Sequence, residues 1–263
     1  MSNMKLGRRP AKEDERNIKL SLVLRTLPPI PDVFDTDDNL IPSPPMKIFA
    51  NDKWGDCVIA SRAEHTLRFE SFEQKKILPI TDNEVLDEYW SEQGATQITK
   101  KRFCKTVTTW SSKPDNGLVM LDSLKLWRNK GWISGDQYYN IYAFASVDFK
   151  NAADVKAAIF ALSGVQIGIY VPQSALDQFE KGVTWEVIEN SPVVGGHAVY
   201  GCGYNNTGPK IITWGKKVQT TWEFAFKYIE EMYDIVDNQD IWLGSDSPVD
   251  TVKLDAYLKE ITS

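Results

Sequence analysis

A chain of 263 residues, 42% of them hydrophobic, can bury one large core or two modest lobes that share an interface. Thirty lysines and arginines against 36 aspartates and glutamates give a net charge of −6, which argues against a nucleic-acid partner, because the basic stretches at 5–9 and 100–102 are too short to reverse it. No stretch nears the roughly 18 uninterrupted apolar residues of a membrane helix, so no membrane partner is expected.

Residues 1–26 are charged and then weakly amphipathic, without the apolar segment of a secretory signal; the expected location is cytoplasmic or virion-associated. Residues 27–45, "LPPIPDVFDTDDNLIPSPP", are proline-rich and therefore extended. Residues 1–45 read as an N-terminal arm that either packs on the body or docks the protein onto a larger assembly. From Cys57 to about Lys75 the sequence lacks proline and glycine, and Cys57, Ala60, Glu64 and Leu67 fall at helical spacing. Thr81 and Glu84 have capping-box spacing ahead of a second helix. The stretch from Gly94 to Asn116 is polar and carries no clear pattern. Met120 to Lys130 predicts a third helix, with Gly131 as its stop.

After residue 147 the pattern changes. Asn151 can cap a helix running through Leu162, and "VQIGIYVP", "HAVYGCGY" and "PKIITWG" read as buried strands bounded by turn residues. In "TWEFAFKYIEEMY", Trp222, Phe226, Ile229 and Tyr233 fall at helical spacing, which predicts a helix after Trp214. The expectation is a helical lobe over 46–147 and a strand-rich lobe over 148–263 ending in helices.

Three cysteines, Cys57, Cys104 and Cys202, cannot close a disulfide framework. Only two histidines, His65 and His197, are present, and no metal-ligand spacing accompanies them, so no metal and no cofactor is expected. Chemistry must come from side chains. A thiol at a helix N-terminus beside an imidazolium is favoured as thiolate, and Cys57 meets the first condition. His65 lies eight residues along the same helix, about 12 Å away at 1.5 Å per residue, and is a surface or packed histidine. His197 follows Gly195 and Gly196 and opens an apolar strand, as a histidine brought from another lobe would. Asp56 reads as the helix cap. Cys202 reads as a buried strand residue, and Cys104 stays unassigned. The tryptophans Trp54, Trp90, Trp110, Trp127 and Trp132 fit core packing better than a substrate groove.

Together, "LPPIPDVFD", "NDKWGDCVIAS", "GGHAVYGCGYN" and "KIITWG" resemble, in order and register, the motifs of the papain-like cysteine peptidase superfamily. The resemblance spans most of the chain and implies a two-lobed α+β fold with the cleft between the Cys57 helix and the His197 strand. It also implies that Cys57 attacks a carbonyl carbon while His197 holds the thiolate, and that Asn51, where the family has glutamine, helps the Cys57 N–H bind the oxyanion. Gly195, Gly196 and Trp214 fall on the substrate-binding side. Counting back from Trp214 puts Ile212 at the position that should orient the imidazole; Thr213 could substitute if the strand register shifts by one. The implied partner is a peptide or protein substrate. Two other functions fit the same resemblance: an inactive papain-like body retained as a structural or binding protein of an assembly such as a viral particle, and acyl transfer or cell-wall amide hydrolysis on a related fold.

Overall fold

The structure of the protein, a computed structural model, describes residues 4–102 and 105–262, so Cys104 lies outside the described residues. In chain order the elements are α1 (Leu20–Val23), β1 (Phe34–Asp35), α2 (Cys57–Gln74), α3 (Asp82–Glu92), β2 (Gln97–Arg102), β3 (Lys105–Trp110) and α4 (Met120–Lys130). They continue with β4 (Trp132–Ser134), β5 (Gln137–Tyr139), β6 (Ile141–Ser146), α5 (Ala152–Ala161), β7 (Val165–Pro172), α6 (Gln173–Lys181) and β8 (Val193–Tyr204). The last are β9 (Pro209–Thr213), β10 (Lys216–Gln219), α7 (Trp222–Tyr228), β11 (Ile229–Asp237), α8 (Asp240–Leu243) and α9 (Thr251–Thr262). Among the described residues no helix is long and apolar enough to cross a membrane.

Local chemistry explains most of these boundaries. Asn151 accepts from the Ala153 N–H at the head of α5, and Thr81 and Glu84 close a reciprocal capping box at α3. Gly131 ends α4 at a positive φ of 62°. Helix α2 is buried over Cys57 to Ser71, polar residues included. Its charges are tolerated because they are paired: Arg62 bonds Glu92 at 2.6 Å and Glu88 at 3.2 Å on α3, and Arg68 bonds Glu64 at 2.5 Å and Asp37 at 2.8 Å. Trp90, Trp127 and Trp132 are core residues, and Cys202 is fully buried in β8.

The second layer is an antiparallel sheet in the order β10-β9-β8-β7-β11-β6, with β1 pairing the far end of β8. The sheet takes in β6, which lies before residue 148. The polar stretch after Gly94, unassigned from the sequence, contains the β2–β3 hairpin. One expectation needs correction. The helix expected through Tyr233 stops at Tyr228, and the chain after Trp214 is mainly strand: β10, the short α7, then β11 between β6 and β7. The helical spacing there is real but short-ranged. From Ile229 onward nearly every residue is buried, which suits a central strand covered on both faces, and sheet pairing overrides local periodicity.

Candidate active site

Cys57 is the first residue of α2, where the first-turn N–H groups have no intrahelical acceptor. The turn leading to it is strained: Phe49 and Ala50 adopt φ of 55° and 64°. This turn brings Asn51 back over the helix start, where its Nδ2 donates to the Trp54 carbonyl at 3.0 Å and to Asp56 Oδ1 at 2.9 Å. Asn51 is thus bound inward rather than aimed at an oxyanion. Asp56 occupies the cap position, yet its side chain makes no capping bond. Its carboxyl is fully buried, and desolvation pushes its pKa well above the ordinary value against the opposing donation from Asn51.

His197 comes from β8, and the pleat of the sheet selects its neighbour. Tyr200 pairs with Ile212 and Gly201 with Ile211, so Ile212 shares a face with Tyr200 and Cys202, with which it forms a small separate apolar cluster. Thr213 therefore falls on the face of Val199 and His197. Its Oγ1 lies 2.7 Å from His197 Nε2. Trp214, held at a φ of 45°, stacks on the imidazole with ring centres 4.2 Å apart and planes 18° from parallel. The ring is pinned on one edge and one face, while Nδ1 is buried without a hydrogen-bond partner.

The two halves meet where the Ala198 N–H donates to Cys57 Sγ at 3.4 Å. No hydrogen bond links the sulfur to the imidazole among the described residues. Burial raises the Cys57 thiol to about 11, with Asp56 adding to the rise and donation from Ala198 and Gly7 opposing it. Burial lowers His197 to about 3, helped by the charge of Arg8. Burial of both groups disfavours the thiolate–imidazolium pair that the resemblance implies.

The reason is the arm. Residues 6–9 thread the cleft between the lobes: the Leu118 N–H donates to the Gly7 carbonyl at 2.8 Å, the Arg9 N–H to the Leu118 carbonyl at 2.8 Å, and the Arg8 N–H to the Gly196 carbonyl at 3.0 Å. Glycine is required where the strands touch. A Cβ on Gly7 would lie 1.8 Å from the Gly55 oxygen, and one on Gly196 would lie 2.3 Å from the Arg8 oxygen. Gly195 packs against Leu6. Cys57 is left 1% exposed.

No family model matches the sequence, and no curated protein matches it. Solved structures do. Xylellain, a cysteine protease from Xylella fastidiosa, superposes with a TM-score of 0.65 over 90% of this chain and 98% of its own, at 15% identity. The chain has the papain-like protease fold. A cathepsin B proform from Trypanosoma congolense matches at 0.57, 11% identity and 90% and 88% coverage, and a Carica candamarcensis cysteine protease in complex with E-64 matches at 0.55, 15% identity and 80% and 100% coverage. Within this papain-like fold, the structure brings Cys57, His197, Thr213, Gly195, Gly196 and Trp214 to one cleft. The sequence singled out the arm but not the contact of Arg8 with Glu230 and Glu231; the only signal was two adjacent acids inside the apolar run "YIEEMYDIV". His65 is packed, as expected, against Phe69 and Tyr200, and Gln166 bonds its Nδ1 at 3.0 Å.

Proposed function

We propose that the protein is a papain-like cysteine peptidase whose cleft is occupied by its own N-terminal arm. The observation that carries this reading is the bond between His197 Nε2 and Thr213. With Thr213 Oγ1 accepting from Nε2–H, Nδ1 holds a free lone pair, and that is the atom able to take the Cys57 proton once the arm has left.

The thiolate then attacks the peptide carbonyl carbon, and the oxyanion falls near the N–H groups at the start of α2. The C–N bond breaks as the imidazolium returns its proton to the leaving amine. Water, giving a proton to His197, attacks the thioester; the acid departs and the thiol is restored. Asn51, bound to Asp56, has no part in the step as arranged.

Departure of the arm changes both pKa values in the useful direction. Water readmitted to the cleft relieves the desolvation that holds the thiol up and the imidazole down. The test is hydrolysis of a fluorogenic peptide mixture by the full chain carrying Gly7→Ala, whose methyl group cannot coexist with the Gly55 carbonyl. Hydrolysis should rise over the unaltered chain, and adding Cys57→Ser or His197→Ala should reduce it by about 10³-fold or more. An opened cleft, verified by accessibility of Cys57, with no thiol-dependent hydrolysis would refute the proposal.

A further inference from the structure

Arg8 does more than fill space. Its side chain is fully buried, and its two terminal nitrogens reach two different carboxylates: Nη1 to Glu231 Oε1 at 2.8 Å and Nη2 to Glu230 Oε2 at 2.5 Å. Nη1 also donates to the Arg9 carbonyl at 3.1 Å, Nη2 lies 3.5 Å from the Ile169 carbonyl, and the guanidinium sits 5.1 Å from the centre of the Tyr170 ring. Consecutive residues of a regular strand point to opposite faces, so two adjacent acids should not meet one cation. They do here because β11 is bulged. Ile229 pairs with Ile169 and Glu231 with Gly168, leaving Glu230 as the extra residue. Gly168 makes the floor: a Cβ there would lie 2.8 Å from Arg8 Cδ and 2.6 Å from Glu231 Cγ.

These features belong to the body of the protein, not to the arm. Two carboxylates face one guanidinium. Burial pushes the Glu231 pKa up while Arg8 restrains it, and Glu230 is held below its ordinary value because donation from Tyr170 and Arg8 outweighs burial. With the arm gone the pocket keeps two acids and no cation. It opens one residue from Gly7, whose backbone bonds the Cys57 thiol. We infer that the pocket formed by Gly168, Tyr170, Glu230 and Glu231 is a substrate subsite selecting an arginine side chain beside the scissile bond, a reading that rests on the peptidase proposal. The split between two carboxylates favours a planar guanidinium over the point charge of lysine.

The test uses the full chain carrying Gly7→Ala and Arg8→Ala, the first to displace the arm from the cleft and the second to keep its side chain out of the pocket. In that chain with Cys57→Ser, binding of fluorescein-labelled Lys-Leu-Gly-Arg-Arg-Pro-amide is measured by anisotropy, against peptides with lysine or citrulline replacing the first arginine. The arginine peptide should bind at least 10-fold more tightly than either, and Glu231→Gln should reduce it to the citrulline level. Glu230→Gln, at the more exposed rim, serves as the second variant, with circular dichroism to verify folding. With Cys57 restored, kcat/KM should favour arginine over citrulline by a similar factor. Equal affinities for the three peptides, or no effect of either glutamate variant in folded protein, would overturn the subsite. Arginine-selective binding without any cleavage would overturn the peptidase reading and leave the arginine pocket standing.

Discussion

The helix side and the strand side of the cleft are built on opposite plans. On the strand side the imidazole is fixed by Thr213 and Trp214 and its remaining nitrogen is left open. On the helix side the polar groups are closed on one another: Asn51 is spent on Asp56 and Trp54, and the thiol is covered by the arm. The difference teaches that orientation of the His197 ring is part of the fold, whereas Cys57 is covered by residues 6–9.

That contrast can be sharpened from the strand side first. Thr213→Val removes the hydroxyl 2.7 Å from His197 Nε2, which the proposed mechanism makes the acceptor of Nε2–H, and a lost hydrogen bond to a group that becomes charged in that reaction is worth about 1.5–3 kcal/mol. In the Gly7→Ala background it should lower kcat roughly 10- to 100-fold with KM little changed. Thr213→Ser, which keeps the hydroxyl, should recover most of the rate. A Thr213→Val enzyme as fast as its parent would mean that the ring is held by stacking alone.

From the helix side, Asn51→Leu strips Asp56 of its side-chain donor. The expected cost is about 1–3 kcal/mol in urea unfolding, because a buried acceptor is left unsatisfied. No loss of stability would mean that the pair contributes nothing to the turn.

The smallest effect lies away from the cleft. Burial, with a lesser contribution from Arg68, lowers the His65 pKa to about 3 from an ordinary value near 6.5. Below pH 6.5 the unfolded chain binds this proton and the folded chain does not, so stability falls toward pH 3 by about 1.4 kcal/mol per pH unit for this group. Buried acids with raised pKa values, such as Asp234, act in the opposite sense in that range. The difference between the native chain and His65→Gln isolates the histidine. Thermal melts from pH 7.5 to 5 should show a shallower decline for the variant, and parallel declines would refute the assignment.

Much of this site was legible in the sequence because its signals are local. Cys57 follows a turn and begins a run without helix breakers, and His197 follows two glycines and begins a strand. Thr213 was legible only as an alternative, since choosing it over Ile212 needs the pairing with Tyr200, which no local pattern encodes. The fate of Asn51 was hidden for a similar reason: two positive-φ residues redirect it to Asp56. The helix expected after Trp222 failed because its periodicity lasts two turns before sheet pairing takes over. The arm was hardest to read. Its Gly7-Arg8 pair acquires meaning only against Gly55, Gly196 and a strand bulge more than 200 residues away.

The most direct test of the proposed Cys57–His197 pair is the pH dependence of Cys57 alkylation by limiting iodoacetamide, mapped by peptide, in the native chain, in Gly7→Ala, and in Gly7→Ala with His197→Ala. The account predicts a protected, high-pKa Cys57 in the native chain. In Gly7→Ala it predicts rapid labelling with an apparent pKa well below the ordinary thiol value of about 8.5, and loss of that depression when His197 is removed. A Cys57 that titrates as an ordinary thiol in the opened chain, with or without His197, would contradict it.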